Sequence, residues 1–288
     1  MSKISGIYAA SMSILNDDLT LNIKKTVKHA EMVIDNGCHG AAIFGSTGQA
    51  QLIPVSEKIG LLNQLAQSKY KEKYIIGTGL NSLGETINLM SVAKSLNFKK
   101  FLIMPPAYYK YGDKEVIEFY SKIAEAIPDS KIILYNFEKL CGYKFSIECI
   151  KKLVSKYPKN IIAVKDSSYN LYENLKLKNF SILPGSEIKL LKGLELGCSG
   201  IITATCNVTA ELSRQVYDDF FAGKKQLHND KLCDVRSTFD KYNLISGLHT
   251  YCAQNDKIYK NILPPLSLLN RNDEEELMNK LKDLEFYN

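Results

Sequence analysis

Side chains able to act in acid–base or nucleophilic chemistry follow four short apolar segments of the chain. They lie in Gly45-Ser46-Thr47-Gly48, Pro105-Pro106-Ala107-Tyr108-Tyr109, Tyr135-Asn136 and Lys165-Asp166-Ser167-Ser168. Lys165 closes a run, residues 161–164, that we expect to be buried. Burial disfavours a charged ammonium, and only a neutral amine attacks a carbonyl to form a Schiff base. Lys165 is therefore a candidate nucleophile; the alternative is a lysine that snorkels from a strand end or pairs with Asp166.

Two of the other groups could assist such an amine. Tyr135 ends a second apolar run, where a phenol could transfer protons or could be a core residue with a solvated hydroxyl. In the turn 45–48, backbone N–H groups and the Ser46 and Thr47 hydroxyls could form an anion nest suited to a carboxylate, and a plain turn is the alternative. An amine, phenols and a carboxylate nest together fit the activation of a 2-oxo acid as an enamine.

Eight short apolar runs must position these residues. They are residues 4–10, 40–44, 74–77, 100–104, 131–136, 161–165, 181–185 and 200–203. Amphipathic segments predicted as helices follow them at residues 19–36, 56–68, 84–96, 114–126, 146–155, 169–176, 187–196 and 210–222. Nearly continuous apolar runs are typical of a parallel sheet buried on both faces, and eight repeats favour an α/β fold, the (β/α)₈ TIM barrel, over an open sheet. In such a barrel, catalytic residues lie at the C-terminal ends of strands, where all four groups fall.

After the eighth helix the alternation stops. We therefore divide the chain into a TIM-barrel catalytic domain, residues 1–223, and a C-terminal helical region, residues 224–288. In this region Leu277, Leu281 and Leu284 recur at helical spacing and predict one apolar face. The prolines of Leu263-Pro264-Pro265-Leu266 predict a turn between helices.

Composition argues against several classes of protein. The net charge is +6, but the lysines are scattered and form no dense basic stripe, so nucleic acid is not an expected partner. Four histidines lack metal-ligand spacing, and no metal is expected. Seven cysteines, an odd number without CxxC spacing, are expected to be free thiols in a cytoplasmic protein. No apolar run approaches the about 18 residues that span a membrane.

The ordered set of motifs resembles the dihydrodipicolinate synthase / N-acetylneuraminate lyase superfamily over the whole chain. Besides the four groups above, Gly77-Thr78-Gly79-Leu80-Asn81-Ser82 and Gly200-Ile201-Ile202 match. The resemblance implies a pyruvate-dependent class I aldolase whose only cofactor chemistry is a covalent Schiff base on Lys165. It also implies a homotetramer built as a dimer of dimers, with pyruvate and an aldehyde as the small-molecule partners.

The resemblance further implies the roles of individual residues. Tyr135, Ser46 and Tyr108 would form a hydroxyl relay for protons, with Tyr108 reaching in from a neighbouring subunit. Ser46 and Thr47 would hold the pyruvate carboxylate, and Ile202 would offer a backbone carbonyl to the bound pyruvate. The full set of expected substrate contacts is Gly45, Thr47, Ser167, Gly185, Glu187 and Ile202.

The part of the site expected to hold the aldehyde half departs from the best-known members. Leu140 stands where dihydrodipicolinate synthases carry the arginine that grips aspartate semialdehyde, and leucine cannot replace that contact. Glu187 matches one acidic residue of N-acetylneuraminate lyases, but Ile188 and Ala204 replace their second acidic residue and a serine. Gln49 stands where the family usually has glutamate.

Ser167-Ser168 and the Ser-Thr pair of the turn resemble aldolases that act on 2-keto-3-deoxy sugar acids. We therefore predict cleavage or formation of such an acid from pyruvate and an aldehyde. Three alternatives stay open: a 4-hydroxy-tetrahydrodipicolinate synthase condensing pyruvate with aspartate semialdehyde, an N-acetylneuraminate lyase, and a non-catalytic sensor of 2-oxo acids. The sequence leaves the identity of the aldehyde and the direction of the reaction undetermined.

Overall fold

Eight parallel strands form the centre of the protein in a computed structural model that describes residues 4–286. The strands are β1 Gly6–Ala10, β2 Gly40–Ile43, β3 Tyr74–Gly77, β4 Lys100–Ile103, β5 Lys131–Asn136, β6 Ile161–Asp166, β7 Ser181–Pro184 and β8 Gly200–Thr203. They are ordered β7-β6-β5-β4-β3-β2-β1-β8. A backbone hydrogen bond from Ser199 N to Ile182 O (2.9 Å) joins the two ends of this sheet. The predicted TIM barrel is confirmed.

Helices alternate with the strands and then continue alone. They are α1 Ile23–Asp35, α2 Val55–Leu65, α3 Leu83–Ser95, α4 Asp113–Ala126, α5 Glu138–Cys141, α6 Ile147–Lys156, α7 Leu190–Glu195, α8 Cys206–Phe221, α9 Asn229–Phe239, α10 Leu244–Cys252 and α11 Arg271–Asp283. Side-chain caps fix several starts: the Asn22 side chain accepts from Lys25 N, and the Ser146 side chain from Cys149 N. Within residues 4–286, no helix is both long and apolar enough to cross a bilayer.

The helix predicted over residues 169–176 is wrong, since this segment forms turns. The Asp166 carboxylate accepts hydrogen bonds from the backbone N–H groups of Tyr169, Leu171 and Tyr172 at 2.9–3.0 Å. These bonds hold residues 169–172 in turns around the carboxylate, and the backbone of Tyr169 is left-handed, with a φ of 58°, which an α-helix does not allow. The helix predicted over 187–196 is shorter, because Glu187–Lys189 forms a 3₁₀ turn before α7.

Two layers of apolar side chains stabilise the barrel. One fills its interior with residues from successive strands, including Ile75, Leu102, Ile133, Ala163 and Leu183. The other lies between the strands and the surrounding helices. Because strand residues alternate between faces, Lys165 lies on the same interior side as Ala163, two residues earlier. The strand that buries this lysine therefore also places its side chain on the interior face of the barrel.

The helices after the barrel pack on a third apolar cluster. Phe239 and Leu248, together with Leu277 and Leu281 of α11, are buried against Met12, which follows β1. The apolar face predicted for the last helix is confirmed, and Leu284 packs at its edge. These helices thus cover the barrel beyond the C-terminal ends of β1 and β8, the end where catalytic residues are expected.

Candidate active site

Lys165 lies at the end of β6 and is only 3% exposed. In the parallel register it faces Tyr135 at the end of β5. Its Nζ atom is 4.2 Å from the centre of the Tyr135 ring. Among residues 4–286, no carboxylate oxygen lies within salt-bridge distance of this amine. The amine is therefore held against a phenol ring without a neutralising anion.

The neighbouring carboxylate, Asp166, is fully buried and has other partners. Besides the three backbone N–H groups, it accepts a hydrogen bond from Asn136 Nδ2 at 2.8 Å. Burial raises the pKa of the Asp166 carboxyl, and these four donors oppose the rise. The possibility that Lys165 pairs with Asp166 is therefore wrong: Asp166 organises the loop that follows β6.

The turn after β2 supplies two further hydroxyls to this site. Ser46 Oγ lies 3.0 Å from the Tyr135 hydroxyl, at hydrogen-bonding distance. Thr47 is buried beside it. The following residue, Gly48, accepts a hydrogen bond from Ser13 Oγ at 2.7 Å through its carbonyl. The turn is thus tied to the segment after β1, and its serine is directed at the phenol.

These groups face one open cavity of about 590 Å³ at the C-terminal end of the barrel. Six of the predicted residues line it: Ser46, Thr47, Tyr135, Lys165, Ser167 and Gly185. The opposite wall comes from α5 and from the helical region, including Leu140, Arg236, Asp240, Tyr242 and Asn243. Strand ends and C-terminal helices therefore build the cavity together.

Four predicted residues lie elsewhere. Tyr108 is 90% exposed with a positive φ of 87°, and Gly45 borders a smaller apolar cavity behind Ser46. The Ile202 side chain fills the barrel interior. Glu187 is 0% exposed, and its oxygens accept from Thr203, Thr205, Thr209 and Arg236, so its carboxylate holds protein groups where we predicted a substrate contact.

Arg236 in α9 is the site residue that the sequence analysis missed. Its Nη1 atom donates to Glu187 Oε2 at 2.9 Å and to Thr203 Oγ1 at 2.7 Å, while its Nε donates to Asp240 Oδ1 at 2.9 Å. It is one of three arginines in a lysine-rich chain, four residues before an aspartate. Arginine is suited to buried ion pairs because its guanidinium carries several donors. The rarity of arginine in this chain and the four-residue spacing to Asp240 were the features of the sequence that could have indicated this pairing.

The charges of this cluster are fixed by their surroundings. Burial opposes ionisation of Glu187, but the Arg236 guanidinium and the two threonine hydroxyls outweigh it and hold the pKa of that carboxyl below its usual range. The pKa of Arg236 is raised, since Glu187 and Asp240 outweigh its own burial. The guanidinium at the cavity wall is thus already neutralised by two protein carboxylates.

Gly185, after β7, has no room for a side chain, because Ser167 lies close to it. A Cβ atom placed on it would lie 2.2 Å from Ser167 Oγ and 3.0 Å from Ser167 Cβ. We expect Gly185→Ala to push the end of β6 aside, to destabilise the protein by about 1–3 kcal/mol and to weaken pyruvate binding. Denaturant unfolding and pyruvate saturation check this. Adding Ser167→Gly removes the obstructing atoms and should restore stability; a double variant no more stable than Gly185→Ala would contradict the argument.

No group of three or more histidine, cysteine or acidic side chains suited to a metal ion occurs within the described part of the chain. None of the seven cysteines, all within residues 4–286, forms a disulfide, and six of them are buried. The cavity lining supplies the amines of Lys139 and Lys165, several hydroxyls and the neutralised guanidinium of Arg236.

A closed eight-stranded parallel barrel with a buried lysine and a phenol at adjacent strand ends defines a TIM-barrel enzyme. The dihydrodipicolinate synthetase family model matches residues 3–284, and the chain belongs to that family of class I aldolases and lyases. It is 27% identical over 231 residues to a DapA-like lyase of Chloroflexus aurantiacus, covering 77% of each chain. It is 28% identical over 254 residues to the 4-hydroxy-tetrahydrodipicolinate synthase of Methanopyrus kandleri, covering 84% of each.

Solved structures share the fold. Dihydrodipicolinate synthase from Agrobacterium tumefaciens superposes with a TM-score of 0.89 at 22% identity, covering 98% of this chain and 99% of that one. YagE from E. coli K12, a prophage protein of the same family determined in complex with pyruvate, has a TM-score of 0.89 at 21% identity, covering 99% and 100%. The family resemblance inferred from the motifs is thereby confirmed.

Proposed function

We propose that this enzyme cleaves a 2-keto-3-deoxy sugar acid to pyruvate and an aldehyde through a Schiff base on Lys165. The observation that carries the proposal is the convergence of a buried amine, a phenol and a serine hydroxyl in one cavity: Lys165 Nζ lies 4.2 Å from the Tyr135 ring centre, and the Tyr135 hydroxyl 3.0 Å from Ser46 Oγ. Pyruvate bound to YagE, a protein of the same fold, adds support.

The first half of the reaction joins substrate to enzyme. The neutral Lys165 amine attacks the C2 ketone, forming a C–N bond, and a proton passes from nitrogen to the former ketone oxygen through the Tyr135 and Ser46 hydroxyls. The Tyr135 hydroxyl donates a second proton to that oxygen, which leaves as water, so that a protonated imine and the Tyr135 phenolate remain. The substrate carboxylate lies in the turn after β2, where Thr47 and the backbone N–H groups receive it.

The second half breaks the carbon–carbon bond. Tyr135, as the phenolate, takes the proton of the C4 hydroxyl; the C3–C4 bond breaks, the aldehyde leaves, and the electron pair moves through C3 and C2 onto the imine nitrogen. The resulting enamine is protonated at C3. Water then adds at C2, the C–N bond breaks, and pyruvate and the free Lys165 amine are regenerated. One water is released and one consumed.

The rest of the cavity lining suits a substrate whose aldehyde portion carries hydroxyl groups. Ser167, Ser168 and Tyr242 and the Asn243 amide border it. The Ser168 hydroxyl accepts from Glu138 N at 2.9 Å, which leaves its proton free to donate. Leu140 offers no charge, and Arg236 is held by two carboxylates. A polyhydroxylated tail finds donors and acceptors here, whereas a second substrate carboxylate would find the single ammonium of Lys139 and no unpaired guanidinium for a bidentate contact.

The synthase reaction is the second candidate, because several curated relatives are named 4-hydroxy-tetrahydrodipicolinate synthase. It would use the same amine and add aspartate semialdehyde to the enamine. A panel of 2-keto-3-deoxy sugar acids and N-acetylneuraminate assayed for pyruvate release, with a coupled assay for the semialdehyde, separates the candidates. Faster turnover of the semialdehyde than of every sugar acid would overturn the leading proposal.

We place the reaction in a homotetramer within the cytoplasm. Tyr108 is almost fully exposed on its own chain, beside the less exposed Tyr109, with their ring centres 5.2 Å apart. An apolar cavity of about 220 Å³ behind Ser46 and Tyr135 is available on the chain that would receive the ring. Tyr108 of a neighbouring copy would complete the hydroxyl relay there. The absence of disulfides among the described cysteines fits a reducing compartment.

Tyr135→Phe removes the phenolic proton carrier from both Schiff-base formation and carbon–carbon cleavage. The ring and its packing remain, so we expect borohydride still to trap pyruvate on Lys165 but at a lower rate, while turnover falls by about 10²–10⁴-fold for want of the phenolic proton carrier. Intact-mass spectrometry of the trapped protein and steady-state kinetics check the two parts. Undiminished turnover would show that another group accepts the proton.

A further inference from the structure

Gln49, the residue after the Gly45–Gly48 turn, is buried and tied to the C-terminal helical region. Its backbone is left-handed, with a φ of 53°, and its N–H donates to Ser46 O at 2.9 Å, closing the turn. Its side-chain oxygen accepts from Leu263 N at 2.7 Å. Its amide nitrogen lies 3.3 Å from Nε2 of His249 in α10. The hydroxyl-bearing turn is thereby anchored to residues some 200 positions later in the chain.

The hydrogen bonds around Gln49 determine where the protons are. His249 Nδ1 lies 2.8 Å from Tyr259 O, a carbonyl that can only accept, so Nδ1 carries the hydrogen. In the neutral ring Nε2 then bears a lone pair and accepts from the Gln49 amide. The Gln49 oxygen is free to accept from Leu263, as observed. Each donor in the row of hydrogen bonds that links Tyr259, His249, Gln49 and Leu263 has an acceptor only while His249 is neutral.

We propose that Gln49 is a positioning residue, held by neutral His249, that sets the placement of Ser46 and Thr47 for the carboxylate of pyruvate. This inference rests on the function proposed above. Gln49 fixes the turn from one side through α10, while Ser13 Oγ fixes Gly48 from the other at 2.7 Å. Through His249 in α10, the C-terminal helical region thus governs affinity for the pyruvate carboxylate without contacting that carboxylate.

The surroundings of His249 keep it uncharged. It is fully buried, and burial lowers its pKa to about 4, with the hydrogen bond to Tyr259 O opposing and the charge of His29 assisting. The titratable groups that face it are His29 from α1 and Tyr259 from the turn Lys257–Lys260. His29 is itself buried between Tyr259 Oη and Asn207 Oδ1, each at 2.7 Å, and burial lowers its pKa as well.

Gln49→Glu tests the proposal by making the anchor depend on a proton. A carboxylate cannot donate to the lone pair of His249, so the new pair keeps its hydrogen bond only by holding one extra proton on either partner. Partnership with the carboxylate raises the pKa of His249 in the folded variant, so the anchor is present at low pH and lost as pH rises through that pKa.

The measurement is borohydride trapping at a series of pyruvate concentrations, for variant and wild type at each pH. Taking the ratio of the two half-saturating concentrations removes the pH dependence of Lys165 itself. We expect a ratio near one at about pH 6 that rises about tenfold by about pH 8, as the pair loses its proton. A ratio that stays flat while wild type forms the adduct overturns the positioning role alone. An absent wild-type adduct overturns the proposed function and this inference together.

Leu248→Ala is the matched control, since Leu248 is a fully buried neighbour of His249 in α10 that packs in the apolar cluster. We expect Leu248→Ala to lower thermal stability but to leave the Gln49–His249 hydrogen bond in place. The ratio of its half-saturating pyruvate concentration to that of wild type should therefore not change with pH. A ratio for Leu248→Ala that rises with pH as that of Gln49→Glu does would overturn the proposal, because loosening α10 would then suffice.

Discussion

Replacement of Lys165 by methionine abolishes the covalent adduct that borohydride traps with pyruvate and lowers turnover by about 10⁴-fold or more. Methionine fills a similar volume in the buried position at the end of β6 but has no amine to attack the ketone. Without the imine nitrogen, no group accepts the electron pair released when the C3–C4 bond breaks. Intact-mass spectrometry after reduction, followed by peptide mapping, measures the adduct, and pyruvate release measures the turnover.

The chain contains its own control for this experiment. Lys58 in α2 is also fully buried, and burial lowers the pKa of its amine to about 8, yet its Nζ donates to Thr78 O at 2.8 Å and borders neither cavity beside Ser46. If burial alone made a lysine reactive, Lys58 would carry adduct too. We expect peptide mapping to place all of the adduct on Lys165. Adduct on Lys58, or trapping that survives in Lys165→Met, would contradict the mechanism.

Arg236→Ala should have the largest effect on stability of any change at the cavity wall. It leaves the carboxylate of Glu187, which is 0% exposed, without its cation, and it removes the donor to Thr203. Breaking one side of a buried ion pair costs about 3–5 kcal/mol, because the remaining charge cannot be solvated. Urea unfolding monitored by circular dichroism gives the free energy of unfolding of both proteins.

The pH dependence of that difference identifies its cause. In the wild type the pKa of Glu187 is depressed, so its contribution to stability is full above the ordinary glutamate value and is lost as pH falls through the folded value. The difference in free energy of unfolding between Arg236→Ala and wild type should therefore become smaller at acid pH, where Glu187 is neutral in the variant. The double variant Arg236→Met with Glu187→Gln removes both charges and should recover most of the loss. A gap of constant size from neutral to acid pH would mean that lost packing, and not an unpaired charge, is responsible.

The amino-acid sequence by itself determined the barrel and the strand ends. Each strand is a short apolar run, and in a barrel the residue after such a run lies at the catalytic end, so Tyr135 and Lys165 could be placed there from local pattern alone. That the two residues lie near each other also followed, because adjacent parallel strands bring their carboxyl ends to the same edge of the sheet. The helix predicted after β6 failed because Asp166 holds the N–H groups of Tyr169, Leu171 and Tyr172 in turns around its carboxylate, which the spacing of apolar residues does not reveal.

Only the tertiary structure decided which distant residues complete the site. Arg236 lies 49 residues from Glu187, and His249 lies 200 residues from Gln49. Neither pairing follows from periodicity, since hydrogen bonds between side chains on separate elements depend on how the C-terminal helices pack over the barrel. Local sequence sets which residues lie at each strand end, while the packing of one element on another sets which of them meet.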